Sequence, residues 1–401
     1  MRNQNLLWLV TFGAACLMGC GTPESSGSTA SDAETTGGGT TGGDTPVDPP
    51  APTCSPAMDA TGNTVTGQIY YDHNASDRSI YAMGIEDGVD EPIPGFNFTL
   101  FGVDGEQTVT TCVDGDYGFG ELTDGVYVLT PDIANSVQPC SSKNCARRFP
   151  EAVREGEVVM VTFGDSVPVV GNAPFFPERL ATLLSPLVTV DNRNVAVGGT
   201  TSPDWLPGTS HFENRLAPHI PDADVILISL GGNDLLMYVN SLGPAALSNI
   251  DGAIDGAHDM VDQIMGNILV TTSAIREINP TVDIVYCLYP NYGQAKTTMP
   301  WNLVGNFLGS DKLIALLSAA RDSFPSTAGF VLADNYGAFE GLALDDYLYD
   351  SLHFNDEGQI LYAETIFRTL GGVLVGPSPL EGGHTPLGEA HVISLVPMAG
   401  L

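Results

Sequence analysis

The stretch that decides the fold is residues 157–166, Glu157-Val158-Val159-Met160-Val161-Thr162-Phe163-Gly164-Asp165-Ser166. From Val158 to Phe163 every residue is apolar or β-branched. That near-continuous pattern belongs to a strand covered on both faces, as the strands of parallel sheets are. Gly164-Asp165 then turns the chain and delivers a serine where the strand ends. In doubly wound sheets the carboxyl ends of the strands form the ligand crevice.

Working outward, the same aliphatic signature recurs at Val188 to Val197, Val225 to Leu230, Val282 to Leu288 and Gly329 to Ala333. Helical stretches alternate with these strands: Pro177 to Leu184, a long one within Ala245 to Glu277, Asp311 to Ser323, and Asp356 to Leu370. Pro177 suits the first turn of a helix, and Asn355 suits a cap ahead of Asp356 and Glu357. Strict β/α alternation over residues 157–372 predicts an α/β domain of three layers, helices on both faces of a parallel sheet.

Three more motifs occupy the places where such a sheet carries chemistry: Asn194 to Gly199 (NVAVGG), Gly231-Gly232-Asn233-Asp234, and Asp350-Ser351-Leu352-His353. A serine hydroxyl is a poor nucleophile until a base takes its proton during attack. His353 is the candidate base for Ser166. Asp350, three residues earlier, can turn back to the imidazole, fix its tautomer and stabilise the imidazolium. Developing oxyanion charge needs donors already aimed at it, and the Asn233 amide with the backbone N–H groups of Gly199 and Ser166 are the candidates. Each motif alone is weak, because GDS, GGND and DxxH all recur by chance in turns. Their order and strand-end placement carry the reading.

On these residues the segment from about Glu157 to Leu370 resembles the SGNH (GDSL-type) hydrolase superfamily, named for its Ser, Gly, Asn and His. The resemblance implies a flavodoxin-like five-stranded sheet and acyl-ester hydrolysis through an acyl-enzyme, with no cofactor required for catalysis. It makes Ser166 the nucleophile, Gly199 and Asn233 the oxyanion donors, His353 the base and Asp350 its orienting acid. Two positions depart from the family pattern. Val167-Pro168 follows the serine where members carry Leu or Ile, and Gly198 stands where many carry a serine before the glycine.

The first 19 residues read as a lipoprotein signal peptide: Arg2, an apolar run from Leu6 to Met18 too short to span a bilayer as a mature helix, then Leu17-Met18-Gly19-Cys20. That ending resembles the lipobox of bacterial lipoproteins, which implies lipidation of Cys20 and a membrane as partner, in the cell envelope. Residues 20–63, rich in Gly, Ser, Thr and Pro, bury too little to offset ordering entropy and read as a tether. Over 64–135, apolar runs at Thr66 to Tyr71, Gly95 to Phe101 and Gly125 to Thr130 alternate with Gly, Asp and Pro turn signals, an all-β pattern. TGQIYYDHN, EPIPGFNFTLFG and DGDYGFGELTDGVYVLTP make this segment resemble prealbumin-type, B-repeat-like β-sandwich modules. Some of those bind calcium in the loop after the first strand. Here Asp72, Asn74, Asp77 and Glu91 offer the hard oxygens, and a solvated acidic loop is the equal alternative.

Residues 136–156 form a polar connector whose basic pair Arg147-Arg148 reads as a solvated loop, and 373–401 form a tail that sequence alone does not place. Exported proteins can oxidise their thiols. Cys140 with Cys145, and Cys54 with Cys112, are candidate disulfides, whereas Cys287 lies in the apolar run IVYCLY and reads as a buried thiol. Tyr238, Trp205 and Tyr292 are candidate pocket walls with ordinary packing as the equal alternative, and His211 and His219 read as surface or packing residues.

Composition sets the outer limits. The chain has 401 residues, 43% hydrophobic and 15% charged, with 48 acids against 14 bases. That balance argues against nucleic-acid binding through a basic patch. The reading that emerges is a monomeric, lipid-anchored ester hydrolase. Two alternatives stay open: a cell-surface binding or adhesion protein with an inactive hydrolase domain, and a carbohydrate O-deacetylase.

Overall fold

A computed structural model of the chain describes residues 63–71, 91–131, 148–242, 250–295, 330–383 and 391–395. The signal segment with Cys20, most of the tether and the expected helix at Asp311 to Ser323 lie outside the described residues.

The strand that opens with Val158 is β7 (Glu157–Gly164), and it is the hub of a five-stranded sheet. The others are β8 (Thr189–Asn194), β9 (Val225–Ser229), β10 (Asp283–Cys287) and β11 (Val331–Ala333), in the spatial order β11-β10-β9-β7-β8. All four pairings are parallel. This is the flavodoxin-like order. The strand order reverses at β7, so the crevice of the fold opens where β7 and β9 end.

Side-chain alternation divides the sheet between two cores, because successive residues of a strand point to opposite faces. Val158 and Met160 of β7, with Val225 and Leu227 of β9, pack under α2 (Phe176–Leu184) and the last long helix (Asp356–Thr369). Val161, Phe163, Ile226 and Ile228 face the other way, against Ile264 and Ile268 of the long helix Ile250–Ile278. Burial on both faces is why the interiors of these strands are almost entirely apolar. The edge strand β8, TVDNRN, is only half-buried and correspondingly polar.

The N-terminal segment is the all-β module, built from β1 (Asn63–Tyr71), β2 (Glu91–Pro92), β3 (Asn97–Gly102), β4 (Gly105–Thr110), β5 (Asp116–Leu122) and β6 (Gly125–Pro131). The C-terminal segment supplies two more strands. β12 (Gly372–Val375) pairs antiparallel with β6, and β13 (His391–Leu395) pairs parallel with β1. The two sheets, β13-β1-β2 with β5 on β1, and β12-β6-β3-β4, enclose Ile69, Phe96, Phe98, Phe119 and Tyr127. β6 is shared property. Tyr127 and Leu129 face the module core, whereas Val126 and Val128 join the hydrolase core, where β6 meets the helix Arg148–Glu155.

The connector corrects one expectation. Arg148 does not sit in a solvated loop; it opens α1 (Arg148–Glu155), whose Phe149, Ala152 and Val153 are buried. The backbone N–H groups of Arg148 and Phe149 donate to Asp283 at 2.9 and 2.7 Å, and the Arg148 guanidinium lies 2.6 Å from Asp224. The Asp283 carboxylate at the amino end of β10 therefore satisfies two open N–H groups of a helix start, while Asp224, just before β9, holds the Arg148 side chain and the Val159 N–H. Arg147 lies outside the described residues.

Asp72, Asn74 and Asp77 also lie outside them, and of Glu91 only its place in β2, opposite Tyr71, is described. Among the described residues no His, Cys, Asp and Glu cluster could hold a metal ion, and no helix is long and apolar enough to cross a membrane. Cys112 is disulfide-bonded; Cys54, Cys140 and Cys145 are outside the described residues. Cys287 is a free, fully buried thiol, and burial pushes its pKa up.

Candidate active site

Ser166 stands at the carboxyl end of β7 because Gly164 makes a turn there that no other residue fits. Its φ is +134°, and a Cβ would lie 1.8 Å from the Ser229 carbonyl oxygen. The Asp165 N–H donates to that same carbonyl at 2.8 Å, so the loop peels off β7 while anchored to β9. The N–H groups of Val169 and Val170 donate to the Ser166 carbonyl at 3.0 and 2.8 Å. Pro168, the departure beside the nucleophile position, is held through its own carbonyl by the Asn194 amide at 2.8 Å.

His353 arrives from the loop before the last long helix, which Asn355 caps by accepting from the Gly358 N–H. The Asn172 N–H donates to the Phe354 carbonyl at 3.1 Å, tying this loop to the one that carries Ser166. His353 Nε2 lies 2.8 Å from Ser166 Oγ, and Nδ1 lies 2.7 Å from Asp350 Oδ2. The other Asp350 oxygen accepts from the N–H groups of Leu352 and His353, both at 2.8 Å. Partial burial raises the Asp350 pKa, but the bonds from the His353 ring and these two N–H groups outweigh it and hold it below the usual range. Asp350 is therefore an ionised partner for the ring near neutral pH.

Gly231-Gly232-Asn233-Asp234 is more than a strand-ending turn, since it opens a helix, α3 (Gly232–Ser241). Asn233 sits in the first turn, where helix N–H groups concentrate positive potential. One N–H of its amide donates to the Thr200 carbonyl at 2.9 Å, and the residue lines the same pocket as Ser166 and His353. Thr200 is itself held by Gly164 and by the Trp205 indole, at 3.0 and 2.9 Å. Gly199 takes the left-handed position of a turn closed by the Thr200 N–H on Val197. Its neighbour Gly198 is the one that lies against Ser166, since a Cβ there would be 3.6 Å from the serine Cβ.

The pocket encloses about 860 Å³ including its open mouth, between α3 and the helix Ile250–Ile278, labelled α4. Its walls are apolar: Leu235 and Leu236 from α3, Val261 and Ile264 from α4, and Leu288 and Pro290 beyond β10. Of the aromatic candidates, Tyr292 lines it. Trp205 instead is fully buried in the core and packs against His211 with the rings tilted, and Tyr238 bonds the Ala253 carbonyl across α3 and α4. Tyr289 and Asp165, which sequence reading did not single out, line it as well. An aromatic at the end of the β10 run, in IVYCLYP, was the available signal.

A model of the GDSL-like lipase/acylhydrolase family matches residues 162–361. Those residues are a GDSL-like lipase/acylhydrolase domain. Solved structures similar to it include the lipase Lip_vut3 from a goat rumen metagenome, 19% identical over 53% of this chain and 97% of that one, with a TM-score of 0.42. Phospholipase A1 from Streptomyces albidoflavus is 18% identical over 53% and 99%, TM-score 0.41. The acetylxylan esterase Axe2 from Geobacillus stearothermophilus is 16% identical over 53% and 94%, TM-score 0.35. No curated protein matches the chain in sequence.

Proposed function

We propose that this GDSL-family protein is a serine esterase that cleaves carboxylic acyl esters through an acyl-enzyme. The observation that carries the reading is the hydrogen-bonded series Ser166–His353–Asp350 at the edge of an apolar pocket. Ser166 Oγ attacks the ester carbonyl carbon as its proton passes to His353 Nε2, and Asp350 stabilises the imidazolium. The Asn233 amide, with the N–H groups of Ser166 and the Gly198-Gly199 turn, receives the oxyanion. The imidazolium then protonates the departing alkoxide, and water, deprotonated by His353, releases the acid and restores the serine. No cofactor enters these steps.

The apolar walls favour an acyl chain over a bare acetyl group, which favours the esterase reading over the deacetylase alternative. Hydrolysis of p-nitrophenyl butyrate by the wild type and by Ser166→Ala tests the assignment. Equal, background-level rates in the two proteins would refute it and return the adhesion reading.

Export and anchoring belong to the same proposal. Residues 1–19 would direct export, Cys20 would carry the lipid, and residues 20–63 would hold the folded part away from the membrane. Labelled palmitate incorporation tests this, and a Cys20→Ala form that remains membrane-bound would contradict it.

A further inference from the structure

Asp165 is 2% exposed and immediately precedes Ser166, yet the reaction described above gives it no part. Its two carboxylate oxygens are used in different directions. Oδ1 accepts from the Val167 N–H at 3.1 Å, closing the backbone around Ser166, and Oδ2 accepts from the Tyr289 hydroxyl at 2.5 Å. The Tyr289 ring lies across the first residue of α3: a Cβ on Gly232 would come within 3.1 Å of that ring and 3.5 Å of Asp165 Oδ2. Gly232 directly precedes Asn233. One side chain thus touches the nucleophile loop and the helix start that carries the oxyanion amide, two elements from opposite sides of the strand-order reversal.

We infer that Asp165 and Tyr289 are positioning residues, whose hydrogen bond sets the spacing between Ser166 and Asn233. The inference rests on the esterase reading. Two catalytic elements at the ends of different strands need a common brace, because a misplacement of about 1 Å can cost about 100-fold in rate. A neutral pair would fill the same volume more cheaply, since an isolated buried charge is costly. Burial indeed drives the Asp165 pKa up to about 6, against the pull of the Tyr289 hydroxyl, the Val167 N–H and the nearby His353. Asp234 of α3 also faces it, as do Tyr286, Tyr292 and Tyr362 from β10, the loop after it and the last long helix. An ionised carboxylate offers both oxygens as acceptors, so it serves Val167 and Tyr289 at once.

The test compares Tyr289→Phe, Asp165→Asn and the double variant with the wild type on p-nitrophenyl butyrate, alongside thermal melting and the rate of Ser166 labelling by a fluorophosphonate. Tyr289→Phe keeps the ring on Gly232 and removes the hydroxyl, with its short bond to Asp165 and its 3.4 Å contact to Ser229 Oγ. Its kcat is expected to fall about 10- to 100-fold with KM little changed, and labelling to slow in parallel. The double variant should be no worse than the weaker single, as expected when both members act as a unit. With one donor gone, the Asp165 pKa moves further up, so the acid limb of kcat shifts to higher pH. Asp165→Asn is expected to keep or gain thermal stability while losing activity, whereas a purely structural role predicts lost stability at unchanged kcat. Tyr289→Phe within about threefold of wild-type kcat with a superimposable pH profile would overturn the inference, as would strict additivity of the two substitutions. If Ser166→Ala retained wild-type activity, the esterase reading itself would fail, a separate result from the same plates.

Discussion

The apolar pocket makes a quantitative demand on substrate choice. Leu235, Leu236, Val261, Ile264 and Leu288 stand beside Ser166, so a linear acyl chain bound there leaves water as it lengthens. Each fully buried methylene contributes about 0.8 kcal/mol, roughly fourfold in kcat/KM. From acetate to hexanoate four methylenes are added, about 3 kcal/mol or about 200-fold if all are covered. The pocket is open at its mouth, and a chain covered over half its length gives about 15-fold. The assay is kcat/KM for p-nitrophenyl acetate, butyrate and hexanoate, with Leu236→Asp as the perturbation. Leu236 is only half-buried, so the protein tolerates the change, but an aspartate there stays solvated and strips the wall of its apolar character. The hexanoate-to-acetate ratio of the variant is expected to drop by about tenfold. A flat or falling wild-type series would refute the acyl-pocket reasoning. Equal losses on every ester in Leu236→Asp would show that the chain does not lie along α3.

Three other outcomes follow from the same structure. Asn233→Ala should lower kcat by about 100- to 1,000-fold, and a loss below about tenfold with unaltered melting would exclude the oxyanion role. Asp165→Asn should be more stable than the wild type at pH 7. Because the folded pKa of about 6 lies above the unfolded value, this carboxyl opposes folding above pH 6, and the opposition fades as pH falls toward 4. The gap at pH 7 is worth about 2–3 kcal/mol and should close by about pH 4 in denaturant titrations; a pH-independent difference would contradict it. Arg148→Ala removes the half-exposed partner of the buried Asp224 and should cost about 1–2 kcal/mol, and an unchanged melting curve would deny this contact its role in seating α1 on the sheet.

The β-module is joined to the hydrolase domain more closely than its sequence pattern suggests. Val126 and Val128 of β6 lie in the core that also holds Leu184 and Phe367, and the Leu129 N–H donates to the Gly371 carbonyl at 2.7 Å. The chain leaves the last long helix through Gly371 directly into β12. That strand's apolar run, Val373 to Val375, fits a strand in either domain, and which sheet receives it depends on residues far away in sequence.

Local patterning determined the parallel sheet, its two-sided burial and the serine at the end of β7, because those are properties of consecutive residues. Order along the chain was enough to bring Ser166, Asn233, Asp350 and His353 into one reading, since a doubly wound sheet gathers its strand ends in one crevice. What lay beyond it were contacts between residues adjacent only after folding. Asp165 looks like a turn residue until Tyr289 comes over it, and Trp205 looks like a pocket wall until it is seen buried beneath Thr200. Of the glycine pair, the sequence could not choose which lies against Ser166, because a turn places Gly198 there and sends Gly199 into the left-handed conformation. The candidate site was written in residue types at strand ends. Its geometry was decided by tertiary packing, because side chains such as Tyr289 that touch the ends of different strands meet only after folding, and no local pattern records those contacts.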